Sequence, residues 1–195
     1  MITRKVVIAM GSPRKEGNST ILAQKVAEGA IAAGAEVELF NLHEMEIKPC
    51  DACEACYQKK SKGCIVQDDM QGLYPKLRQA DTWIIASPIY WFTFNAQTKL
   101  FMDRWYGLFG GKPDDELAGI PFRDKRIGVI LTYGDSDPVN SGAINAIRTF
   151  QDAFRYVGVR KLRFIYGSAL NTGEIRSNQQ LMDSAYRMGE ELGGT

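Results

Sequence analysis

Apolar residues fall into two kinds of segment along this chain. Short runs dominated by aliphatic and β-branched residues occur at 5–10, 36–40, 82–87, 126–132 and 161–166, and each is short enough to read as a strand. Segments richer in helix formers lie between and after them, at 20–33, 68–79, 95–105, 141–157 and 175–192. Gly34 follows the first as a stop, Asp68 or Asp69 stands where the second would be capped, and Gly72 and Pro75 weaken that second helix. Five strands alternating with about five helices predict an α/β fold, because parallel neighbours need crossovers and helices supply them. Residues 106–124 form a long connection with glycine and proline, either a ligand cover or a surface loop.

The chain has 195 residues, enough for one domain spanning 1–195 with a single well-buried core. Hydrophobic residues make up 45% and charged residues 24%, and no repeat or low-complexity tract interrupts them, which argues against disorder. Twenty-four basic residues against 23 acidic ones leave a formal charge of +1. That balance provides no field for nucleic acid or an acidic membrane and favours a small-molecule partner. No apolar stretch reaches the roughly 18 residues of a membrane span, and the run at 6–10 is too short for a secretory signal, so a cytoplasmic protein is expected.

The loop after the first strand, GSPRKEGNST at 11–20, carries candidate chemistry. A helix N-terminus presents unpaired N–H groups and the positive end of its dipole, which together suit a phosphate. Ser12, Asn18, Ser19 and Thr20 add short donors and Arg14 adds charge, more than capping alone requires. The spacing differs from a nucleotide P-loop: five residues separate Gly11 from Gly17, and Asn18 stands in place of the lysine. No G-x-G-x-x-G follows a strand, which disfavours a dinucleotide site.

This loop resembles the phosphate-binding loop of the NADPH-dependent FMN reductase and iron-sulfur flavoprotein group. A second match, SPIYWFTFNAQTK at 87–99 with Met102-Asp103-Arg104 beyond it, is similar to that group's S-P-x-Y-W loop and its helix ending in a D-R pair. The resemblance implies a flavodoxin-like, doubly wound, five-stranded parallel sheet in the order 2-1-3-4-5, with helices on both faces. It further implies FMN, with its phosphate on Ser12, Arg14, Asn18, Ser19 and Thr20 and its ring along Pro88, Ile89, Tyr90, Trp91, Phe92 and Thr93. Tyr133, Gly134 and Asp135 resemble a third flavin-contacting loop. The residue types agree, since a flat heteroaromatic needs aromatic packing and backbone polar groups at its edge.

Cys50, Cys53, Cys56 and Cys64 are the only cysteines and sit in one loop at 46–66. Overlapping C-x-x-C steps bring three thiolates onto one curve, and the set resembles the compact motif that holds a 4Fe-4S cluster in iron-sulfur flavoproteins. Zinc and free redox-active thiols remain alternatives. Lys48, Lys59, Lys60 and Lys62 flank the motif and could offset its negative charge. His43, the single histidine, reads as structural or solvated.

These readings predict an FMN-dependent oxidoreductase that takes electrons from NAD(P)H and passes them to a small-molecule or protein acceptor, with a cluster as a relay if one is bound. A flavodoxin-like carrier without turnover and a flavin-free phosphate-ester binder are the other readings. The resemblance also implies a homodimer or homotetramer.

Overall fold

A computed structural model describes residues 3–58, 61–109 and 120–194. Five long strands, β1 (Lys5–Met10), β2 (Glu36–Asn41), β3 (Thr82–Tyr90), β5 (Arg126–Tyr133) and β6 (Lys161–Ser168), run parallel in the order β2-β1-β3-β5-β6. The predicted sheet is present, with one addition. A short β4 (Thr93–Phe94) folds back antiparallel on β3 through the pairs Ile89↔Phe94 and Tyr90↔Thr93. It lay hidden in the sequence because a two-residue hairpin usually carries Gly, Asn or Asp, and here the turn is Trp91-Phe92.

The central strands are buried on both faces, as a parallel sheet between helical layers requires. Val6, Ile8, Ile84 and Ile130 pack under α1 (Asn18–Ala32) and α7 (Gln179–Gly193). Val7, Trp83, Ile85 and Val129 face the other layer, formed by α2 (Met70–Gln79), α3 (Ala96–Asp103) and α6 (Ala143–Tyr156). The helix predicted at 95–105 stops at Asp103, and a separate short α4 (Tyr106–Phe109) follows. The far end of the long connection holds α5 (Ile120–Arg123), while 110–119 lie outside the described residues, as do Lys59 and Lys60. Among the described residues no helix is long and apolar enough to cross a membrane.

Helices α1 and α7 approach so closely that a side chain cannot fit between them. A Cβ on Gly29 would lie 2.0 Å from Tyr186 O, and one on Gly189 would lie 2.1 Å from Val26 O. Both obstacles are backbone, so the helices must move apart to admit a methyl. Alanine is the better helix former by up to about 1 kcal/mol, so propensity and packing predict opposite signs. Gly189→Ala should lower the unfolding free energy by about 1–3 kcal/mol, the usual cost of overpacking, in urea titrations. An unchanged or raised value would show that the helix pair adapts.

Candidate functional site

The loop that follows β1 is built around the Ser12 hydroxyl and the Arg14 carbonyl. Arg14 N donates to Ser12 Oγ at 3.1 Å and Gly17 N to Arg14 O at 3.0 Å, which curls the chain into the start of α1. Ile21 N makes the first intrahelical bond, to Gly17 O at 2.9 Å, so the N–H groups of 18, 19 and 20 precede it and lie free of the ladder. The helix has no side-chain cap and no acidic residue in its first turn. Ser19 Oγ is buried and without a hydrogen-bond partner. An orphaned hydroxyl beside an uncapped helix N-terminus is a donor set that fits a phosphate monoester.

Ser12, Arg14, Asn18 and Ser19 line a cleft of about 490 Å³ including its open mouth, and Pro88, Ile89, Tyr90, Tyr133 and Gly134 form its other walls. Trp91, Phe92 and Asp135 lie in an adjoining open hollow that shares Ile89, Tyr133 and Gly134. Two of the expected residues line neither space. Thr20 Oγ1 donates to Arg14 O at 3.3 Å and so braces the loop, and Thr93 pairs with Tyr90 in the hairpin.

The sequence reading missed the segment after β6, where Ala169, Leu170 and Thr172 complete the cleft. Asn18 Nδ2 donates to Ala169 O at 3.2 Å and Asn171 O at 2.9 Å, and Arg14 Nη1 donates to Thr172 Oγ1 at 3.1 Å. The amide and guanidinium expected on a phosphate therefore also tie two loops together. Nothing in the local pattern of 169–172 marks it for this role; the contact comes from strand order alone.

Trp91 (φ 49°) and Phe92 (φ 66°) both occupy the left-handed region, the conformation of a tight hairpin turn. Such geometry costs about 1–3 kcal/mol per non-glycine residue. The strain presents the rings outward, with Trp91 92% exposed, and Asn145 Nδ2 on α6 holds the turn by donating to Phe92 O at 3.1 Å.

Behind the cleft lies a buried knot centred on Asn95, which caps α3. Its Oδ1 accepts from Thr98 Oγ1 at 2.7 Å and Ser87 Oγ at 3.0 Å, its N–H donates to Ser87 Oγ at 3.1 Å, and its Nδ2 donates to Gly11 O. A Cβ on Gly11 would stand 2.1 Å from Thr98 Oγ1, so only glycine fits there.

The four cysteines line a second pocket of about 310 Å³ with Asp51, Glu54, Asp103 and Arg104. Ala52 (φ 54°) and Glu54 (φ 56°) are left-handed, which curls the chain tightly between successive thiols. Burial, followed by the neighbouring Cys64, Cys50 and Cys53, pushes the Cys56 thiol up, so the sulfurs sense one another. Among the described residues no three His, Cys, Asp or Glu side chains are gathered tightly enough for a single metal ion.

Among the described residues the cation lining this pocket is Arg104; Lys48 and Lys62 do not line it, and Lys59 and Lys60 lie outside the described residues. Arg104 and Asp68 form an ion pair with side chains 1% and 0% exposed, and Arg104 Nη2 lies 3.3 Å from Cys64 Sγ. This corrects the reading of Asp68 as a simple helix cap. Its Oδ1 does accept from Met70 N at 3.1 Å, but the same carboxylate accepts from Lys48 N at 2.9 Å and holds the guanidinium. Burial alone would raise the Asp68 carboxyl, yet the bonds from Arg104, Lys48 and Met70 outweigh it and hold the carboxyl below its usual range. His43 lies outside these spaces, its Nδ1 3.2 Å from Gln97 Nε2.

Residues 4–170 match the family model described as NADPH-dependent FMN reductase. An iron-sulfur flavoprotein of Methanocaldococcus jannaschii is 37% identical over 100 residues, about half the length of each chain (51% of both). An iron-sulfur flavoprotein of Methanosarcina thermophila is 36% identical over 148 residues, 76% of this chain and 71% of the relative. In fold, the chain is similar to an NAD(P)H:quinone oxidoreductase from Methanothermobacter marburgensis, with TM-score 0.77 and 17% identity over 100% of this chain and 99% of the other.

The Asn95 knot generates a test of how the cleft is held. Asn95→Ala strips partners from Gly11 O, Ser87 and Thr98, and leaving buried polar groups unpaired costs about 1–3 kcal/mol. Urea unfolding should register that loss, and Asn95→Ala should also weaken FMN uptake although Asn95 does not line the cleft. Full FMN affinity in a destabilised variant would separate the knot from the site.

Proposed function

The chain belongs to the NADPH-dependent FMN reductase family, an FMN-dependent NAD(P)H oxidoreductase family, and from that premise we propose how its residues divide the work. The Ser19 hydroxyl and the N–H groups of 18, 19 and 20 hold the FMN phosphate, with Ser12 and Asn18 beside them and Thr20 bracing the loop. Arg14 supplies charge at the open edge, oriented by Thr172. Pro88 to Phe92 and Tyr133 to Asp135 line the ring, and Thr93 closes the hairpin through its pairing with Tyr90. FMN, when bound, accepts reducing equivalents in pairs and releases them in pairs or singly, so no protein base is needed for electron transfer. The observation that carries this reading is Ser19 Oγ, buried and unpartnered at an uncapped helix start.

The hairpin's task is to position and shield. Its fixed backbone holds three aromatic residues at the mouth, where they exclude water from a flat partner and stack against it. NAD(P)H is the donor, and a quinone-like molecule or a protein is the acceptor. Val139 and Leu170, with Trp91 and Phe92, are exposed apolar residues of the surrounding segments, and we assign their covering to a second copy in a homodimer or homotetramer. Cys50, Cys53, Cys56 and Cys64 hold a 4Fe-4S cluster. The support for this reading is that all four cysteines line one pocket in a compact C-x-x-C-x-x-C run with a fourth cysteine beyond, and a bound cluster would carry electrons singly. Such thiols persist in a reducing compartment, which supports a cytoplasmic location.

Arg14→Ala and Ser19→Ala should each weaken FMN binding by about 1–3 kcal/mol, the range of a charge-assisted contact, while Lys76→Ala, a surface change elsewhere, should not. Fluorescence titration of apoprotein reads the affinities, and steady-state NAD(P)H oxidation with quinone acceptors reads turnover. Unaltered affinities would refute the phosphate assignment. Inertness toward both nicotinamides would leave an electron carrier in place of a reductase.

A further inference from the structure

Resting on the reading of the four cysteines as an iron-sulfur site, we propose that Arg104 sets the reduction potential of that site by donating a hydrogen bond to the Cys64 sulfur, with Asp68 fixing its aim. The guanidinium is a rigid planar fork, and its placement leaves it little freedom. Nη1 and Nη2 meet the two Asp68 oxygens, Nη1 also donates to Lys48 O at 2.8 Å, and Nη2 has Cys64 Sγ at 3.3 Å. Asp68 is itself anchored by Lys48 N and Met70 N, so the fork cannot rotate away from the sulfur without breaking buried bonds.

The charge pattern explains why one residue would matter. The pocket lining combines four thiols with the carboxylates Asp51, Glu54 and Asp103, and among the described residues Arg104 is the one cationic side chain in its walls. Asp68 neutralises most of the guanidinium's net charge, so Cys64 receives a directed N–H in a dry setting more than a long-range field. An electron entering a thiolate-held cluster places extra negative density on the sulfurs. A donor to one of them stabilises the reduced form more than the oxidised form and raises the potential. The step adds one electron from a one-electron donor, and it breaks no bond and moves no proton.

A purely structural Arg104 would instead just clamp the 48–68 segment to the end of α3. Two variants separate the roles. Arg104→Lys keeps a charge but loses the fork, and Arg104→Gln with Asp68→Asn removes both charges, so no buried ion is left unpaired. Anaerobic redox titration followed by electron paramagnetic resonance reads the cluster, visible absorbance reads the flavin, and thermal melting reads the fold. In both variants the reduced-to-oxidised ratio of the cluster at a fixed potential should fall about tenfold, which is about 59 mV for a one-electron couple, with the flavin midpoint unmoved. A cluster midpoint that stays or rises in either folded variant overturns the proposal. Folded variants without a cluster, or loss of folding in both, assign Arg104 to assembly and overturn it too. Iron and sulfide are assayed first on the native protein; their absence there overturns the cluster reading itself, a failure distinct from that of Arg104.

Discussion

The Asn95 side chain is the joint on which the site depends. The loop at Gly11 must meet the end of β3 at Ser87 and the start of α3, which lie more than 70 residues further along the chain, at the carboxyl end of the sheet, where ligands of open α/β folds sit. One amide satisfies all three, with its nitrogen on the Gly11 carbonyl and its oxygen on two hydroxyls. Buried polar networks of this kind stabilise one arrangement and penalise every other, because each partner left over is costly in a dry interior. The 11–20 loop and the aromatic hairpin are thereby held at a fixed separation.

Helix α3 carries that constraint further. Asn95 stands at its N-terminus and Arg104 at its C-terminus, so one short helix connects the cleft beside the Gly11 loop to the cysteine pocket. At 1.5 Å per residue the two side chains originate about 13 Å apart. Both are buried: Asn95 bonds to the loop at Gly11 and to β3 at Ser87, and Arg104 bonds to Lys48, Cys64 and Asp68 in the segment before α2. The helix acts as a strut whose ends are each fixed by a polar joint.

Much of this was legible in the sequence because it is encoded locally. The five parallel strands follow from short apolar runs, and the loop that turns into α1 from glycine and hydroxyl residues at a helix start. The elements that escaped notice are those whose meaning is set by distant chain. Thr172 and Ala169 meet Arg14 and Asn18 across about 150 residues. Arg104 ended a recognisable D-R pair, but its burial against Asp68 follows from how α3 packs, and flanking lysines were the more visible cations. Asp68 looked like a cap because capping and ion pairing use the same short carboxylate. The hairpin was hidden by residues whose propensities oppose its backbone.

That opposition has a consequence for anyone who would engineer this protein for robustness. A library selected only for resistance to heat would replace Trp91-Phe92 with Asn-Gly, which suits left-handed dihedrals and relieves the strain. The survivors would be sturdier molecules with a bare rim where the rings had been. If these rings contact the ligand as proposed, durability and recognition compete at this turn, and retaining both requires screening for ligand contact together with survival.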